Sequence, residues 1–149
     1  RGSGGIAGLL SGPPGAAKID TMNRFPWDPA YAVGHEALDA QHQQLLACCE
    51  ALVQADEPDN AGFDARLKTL LALAEEHFDA EAAVLDGCAY PDLDELRAER
   101  QEFANLVAEL VAPEHFNPGE LQRFLGLWWV GHIVGSADTM RLFLAPASP

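Results

Sequence analysis

The stretch "LQRFLGLWWVGHIVGSADTMRL", Leu121 to Leu142, decides the fold. Leu121, Leu125, Trp128, His132, Gly135, Thr139 and Leu142 recur at alternating steps of four and three, the spacing of a bundle helix whose seam faces its neighbours. Just before it, Asn117-Pro118-Gly119-Glu120 reads as a helix start. An Asn cap is followed by Pro at the first helical position and Glu three residues after the cap. One ionisable residue, His132, falls on the seam.

Working back along the chain, three more segments carry the same helical period and none shows convincing strand alternation. The first helix is expected from about Glu36 to Ala55, with Leu38, Leu45, Leu46, Cys49, Leu52 and Val53 inward and His42 on the same face. The second is expected from about Ala61 to Gly87, through Phe63, Leu67, Leu70, Leu71, Ala74, His77, Glu81 and Leu85. "GCAYPD" ends it, because Gly favours a helix end and Pro cannot continue one. The third is expected from about Asp92 to Val111, with Leu93, Leu96, Arg100, Phe103, Val107 and Leu110 inward. Four helices with short connections predict an all-α, antiparallel up-down-up-down four-helix bundle.

At 149 residues and 48% hydrophobic content, the chain suits one globular domain. Residues 1–21 are rich in Gly, Ala, Ser and Pro and read as a linker or vector scar, or as a tail that docks on a protein partner. Residues 22–149 read as the bundle domain, with Met22 a natural start. A formal net charge of −14 argues against nucleic acid and against anionic membrane surfaces. No apolar run is long enough to span a bilayer. Cys48, Cys49 and Cys88 form neither a disulfide framework nor a metal finger, which places the protein in a reducing, cytoplasmic setting. His35 and Cys88, each one heptad from a central polar residue, read as core or cap positions. With no phosphate loop and no Ser-His-Asp or Cys-His arrangement, the sequence offers no enzyme chemistry.

His42, His77, Glu81 and His132 all lie on stripes that should be apolar. A single inward histidine is ordinary; four such groups on three helices are informative if they share a level. Antiparallel packing brings the middle of the first helix against the later half of the second, and His132 reaches the same layer. His77 and Glu81 are an i, i+4 pair on one helix face. Imidazole with carboxylate suits iron, zinc or manganese, and a buried Glu with no cation or donor is costly.

The segments "FPWDPAYAVGHEALDAQHQQL", "HFDAEAAVL", "YPDLDELRAERQEF" and "WWVGHIVGSAD" resemble, in order and interval, those of the hemerythrins, including bacterial single-domain forms. The resemblance spans Phe25 to about Phe143. It implies a four-helix bundle that holds two irons through five histidines and two bridging carboxylates and binds dioxygen. It maps His42, His77, Glu81 and His132 onto ligand positions.

Two departures limit what carries over. An H-x-x-x-H pair is replaced by Leu96-Arg-Ala-Glu-Arg100, and the Asp expected five residues after His132 is Ala137, with Asp138 one position later. A one-turn π-bulge at Gly135-Ser136 would make Asp138 a ligand; a regular helix would turn it away. Leu96 has no lone pair and Arg100 repels a cation, so a complete diiron site is not expected. Two readings follow. One non-haem ion, iron before zinc or manganese, sits on His42, His77 and Glu81 with His132 or Asp138, in oxygen or redox sensing or binding. Or the bundle is a metal-free interaction module in which Arg100 pairs with Glu81 and Asp138 in place of a cation. Arg100 could instead snorkel outward along its stem.

Overall fold

The computed structural model describes residues 24–54, 61–112 and 117–144; the 1–21 tail and its expected linker or docking role lie outside them. A 3-10 turn, Pro29–Tyr31, precedes four α-helices: α1 (Glu36–Ala51), α2 (Phe63–Gly87), α3 (Leu93–Val111) and α4 (Pro118–Leu144). The described residues contain no strand, and the helices form the expected up-down-up-down bundle. None of them is long and apolar enough to cross a membrane.

The helix ends follow from local chemistry. His35 caps α1, its Nδ1 accepting from the Leu38 N–H at 3.3 Å. At the other end the Gln122 amide, reaching from α4, donates to the Cys49 and Glu50 carbonyls at 3.0 and 2.9 Å, and Arg66 Nε donates to the Leu52 carbonyl at 3.0 Å. These side chains satisfy the last carbonyls from outside, and α1 closes at Ala51 rather than near Ala55. Asn117 caps α4 as its sequence predicts, Oδ1 accepting from the Glu120 N–H at 3.1 Å.

Gly87 does not supply the turn out of α2. The left-handed residue is Ala89, at φ 57°. The Ala89 N–H donates to the Asp86 carbonyl at 3.1 Å and the Tyr90 N–H to the Leu85 carbonyl at 3.0 Å. That pair of bonds is a Schellman closure built on an alanine.

The core centres on Trp129, which is fully buried and packs against Phe78, Phe103 and Trp128 with ring centroids 5.3, 5.4 and 5.0 Å away. Phe25 lies on Gly126 of α4; a Cβ there would stand 2.0 Å from the Phe25 ring. The Phe25 N–H donates to Glu50, which pins the entering chain to α1. Against these tight contacts α3 is peripheral. Of its residues only Phe103 and Val107 are buried, and Leu110, expected inward, is 36% exposed.

Candidate metal centre

Three helices deliver four buried donors to one point. His42 comes from α1, His77 and Glu81 from α2, and His132 from α4. Their ligand atoms all lie within 4.8 Å of one another, and among the described residues no other group of His, Cys, Asp and Glu does this. The Nε2 atoms of His42 and His77 are 2.9 Å apart. Glu81 Oε2 lies 3.4 Å from His77 Nε2, 3.3 Å from His132 Nε2 and 4.0 Å from His42 Nε2. A tetrahedral ion with bonds of about 2.1 Å needs ligand atoms about 3.4 Å apart, so the donors are spaced for one ion. Glu81 Oε1 is buried without a hydrogen-bond partner, which also fits a cation.

Two side chains orient the imidazoles. His77 Nδ1 donates to Gln41 Oε1 at 2.8 Å, which leaves the lone pair of Nε2 facing the cluster. His132 Nδ1 donates to Glu99 Oε1 at 2.8 Å. A carboxylate behind a histidine fixes the ring and strengthens its other nitrogen as a ligand. The sequence reading missed both partners. Gln41 adjoins His42, and Glu99 lies inside the very Leu96–Arg100 stretch whose missing histidines drew attention.

Burial, together with the neighbouring His77 and His132 rings, depresses His42 to about 3, so it is neutral. Burial opposes charge on His132 as well, but hydrogen bonds to Glu81 and Glu99 outweigh it and raise it to about 9. Burial likewise opposes the Glu81 carboxylate, and the His132 and His77 rings overcome it, holding the group well below the usual range. Without an ion, then, an imidazolium at His132 sits between two carboxylates.

Arg100 does not play that part. Its guanidinium turns outward to Glu75 at 2.6 Å and Asp79 at 2.8 Å, with its carbon 5.7 Å from the Phe78 ring centre. The expected pairing with Glu81 and Asp138 is therefore corrected to outward snorkelling, since the longer stem reaches solvent-side carboxylates on α2. Asp138 is corrected too. Helix α4 runs as regular α-helix through Gly135-Ser136, so no bulge forms. Among the described residues, Asp138, 77% exposed, pairs with Arg141 at 3.9 Å. Ala137, at the position of the family's Asp, is buried against Val33, Leu38 and Leu85.

Beside Glu81 and His132, a cavity of about 250 Å³ opens between α2, α3 and α4, with Leu96, Glu99, Ser136 and Met140 in its wall. Leu96 brings no donor there, and Glu99 is spent on His132. The donors among the described residues thus form one cluster suited to a single ion. Ser136, His132 and Glu99 stand in line, with Ser136 Oγ 3.3 Å from His132 Nε2. This is no nucleophilic triad, because Ser136 donates to Glu81 at 3.1 Å and a protonated His132 cannot act as its base. All three cysteines are free, and burial raises the Cys49 thiol far above its ordinary value.

Comparisons with known proteins show the family of the chain. The profile of the family described as "Hemerythrin HHE cation binding domain" matches residues 33–138. A "Hemerythrin-like protein" of Naegleria gruberi is 30% identical over 112 residues, covering 75% of this chain and 87% of that protein. A "Myohemerythrin" of Theromyzon tessulatum is 27% identical with the same coverage. One from Riftia pachyptila is 27% identical over 117 residues, covering 78% of this chain and 91% of its own. No solved structure matches at a comparable significance. The family is consistent with the reading of a non-enzymatic domain. By profile, by relatives and by its four-helix site, the chain belongs to the hemerythrin family.

Proposed function

We propose that this domain holds a single non-haem metal ion, iron before zinc or manganese, on His42, His77, Glu81 and His132, and that it serves in oxygen or redox response. The convergence of three buried imidazoles and one buried carboxylate on one point carries the reading. That donor set suits these borderline cations. The family's "cation binding" description and the relatives' names support it.

When bound, the ion would supply a Lewis acid and, if iron, a one-electron redox centre. The chain's own residues do the rest. Gln41 and Glu99 hold His77 and His132 in their ligand tautomers. Trp128 stacks on the His132 ring at 5.5 Å and 5° and helps hold its orientation. The adjoining cavity leaves room for a small molecule such as dioxygen beside Glu81 and His132. Three free cysteines suit a reducing, cytoplasmic setting.

The test is iron per chain after anaerobic incubation with Fe²⁺ and desalting, with absorption spectra before and after air. About one iron, with a band that depends on air, supports the reading; two irons or none would overturn it. A second reading, a metal-free interaction module, has one observation in its favour. His132, rather than Arg100, already supplies a buried positive charge between Glu81 and Glu99. Absence of iron, zinc and manganese uptake would select it.

A further inference from the structure

Helix α3 is the least anchored part of the bundle. It buries two residues, where α2 buries seven and α4 nine. Its Arg100 pairs with Glu75 and Asp79 lie on the solvent side of α2. Arg97 pairs within the helix, with Asp94. Among the described residues, Glu99 is the α3 side chain that hydrogen-bonds a residue of the donor cluster.

That bond is asymmetric in exposure. His132 is 1% exposed and Glu99 38%, so the carboxylate reaches from the rim to the buried ring. It meets Nδ1, the nitrogen turned away from Glu81, and so fixes Nε2 toward the other three donors. Loss of the contact would free the ring to turn about χ2 toward the adjoining cavity, which Glu99 and His132 both line. Removing such a partner typically weakens metal binding by about 10- to 100-fold.

We propose that Glu99 is the positioning residue for His132, and that through it metal occupancy is transmitted to α3. The proposal rests on the single-ion reading of the site. An ion that locks His132 also locks the partner of Glu99, and a helix with so little buried surface responds by tightening. Opening of weakly packed segments is read directly by amide exchange.

The experiment compares the parent chain with Glu99→Ala, Glu99→Gln and Glu102→Gln. Glu102 lies on the exposed side of the same helix, so its variant removes equal charge without touching His132. Fe²⁺ affinity is measured anaerobically by chelator competition, and hydrogen exchange of residues 93–111 is followed with and without the ion. Circular dichroism confirms that each variant is folded. Glu99→Ala should weaken binding about 10- to 100-fold and abolish the metal-induced slowing of exchange in α3. Glu99→Gln keeps an acceptor for Nδ1–H but loses the carboxylate's charge, so it should fall between Glu99→Ala and the parent; Glu102→Gln should match the parent. Parent-like affinity in Glu99→Ala, or an equal loss in Glu102→Gln, would overturn the positioning role while leaving the site intact. Unchanged α3 exchange on loading of the parent would overturn the transmission. A parent that takes up no ion would instead sink the single-ion reading and this inference with it.

Discussion

The Nε2 atoms of His42 and His77 face each other at 2.9 Å in a part of the core closed to solvent. With His77 Nδ1–H committed to Gln41, the proton between the rings belongs to His42, whose own Nδ1 has no partner. Both nitrogens of the contact are the ones an ion would bind, so loading replaces this single hydrogen bond with two metal–nitrogen bonds and moves the His42 proton to Nδ1. His77→Ala should therefore weaken metal binding by more than the about 10- to 100-fold expected of an outer partner such as Glu99. Trp128 and Trp129 lie 5.5 and 5.1 Å from the His132 ring, which makes tryptophan fluorescence a direct probe of loading. A quench on adding Fe²⁺ that survives intact in His77→Ala would count against the ligand set.

Metal uptake should depend on pH through His132. Its pKa is raised to about 9, so at neutral pH the ion must displace a proton from Nε2. Apparent affinity should rise about tenfold per pH unit from neutrality up to about pH 9 and then flatten. The metal-free fold should show a matching pattern. The raised pKa of His132 gives stability that is whole below about 6.5 and lost as pH rises through about 9. His42, lowered to about 3, gives stability that is whole above about 6.5 and lost as pH falls toward 3. Denaturant midpoints of the apo protein should thus peak near pH 6.5; a midpoint flat between pH 6 and 9 would contradict the buried imidazolium.

How far the sequence could be read depended on whether a residue's role is set by its own helix or by another. The seam of α4 was legible only in part: Leu121, Leu125 and His132 are buried as expected, but Gly135 and Leu142 are exposed and the buried stripe runs instead through Trp129, Ile133, Ala137 and Met140. The Asn117-Pro118 start depends on local capping and was legible. So was the His42, His77, Glu81 and His132 layer, because period and antiparallel order together fix depth in a bundle. The orienting residues were not legible. Gln41 and Glu99 act on rings from neighbouring helices, and nothing local separates them from a solvated face. Arg100 was misread for a related reason: period places its Cα near the site, but a long stem lets the charge leave. Ala89 was hidden because chemistry favours Gly87 for the turn, while the fold places the left-handed residue two positions later.

Arg100 and Asp138 make a paired negative prediction. Arg100 contacts exposed carboxylates on α2, and Asp138 faces solvent near Arg141. Neither Arg100→Ala nor Asp138→Asn should change metal stoichiometry or affinity by more than about twofold, because neither touches the cluster. Arg100→Ala should cost only about 0–1 kcal/mol of stability, the range of surface ion pairs. A lost or gained ion in either variant, read by elemental analysis after desalting, would mean that the site layer is misplaced.

Ala89→Gly should stabilise the fold without altering the metal. Ala89 stands at φ 57°, where a Cβ crowds the backbone and costs about 1–2 kcal/mol relative to glycine. Its N–H and that of Tyr90 close α2 onto the Asp86 and Leu85 carbonyls, so the conformation is imposed by the Schellman turn. Glycine removes the strain but gives the unfolded chain more freedom, which takes back about 0.4–1 kcal/mol. The net gain should be about 0.5–1 kcal/mol, seen as a higher denaturant midpoint at unchanged slope. Glu81 is two turns earlier on the same helix, and its contacts do not involve the turn. Fe²⁺ affinity should therefore remain at the parent value. A destabilised variant would show that Ala89 earns its place through its methyl packing rather than being tolerated at a strained cap.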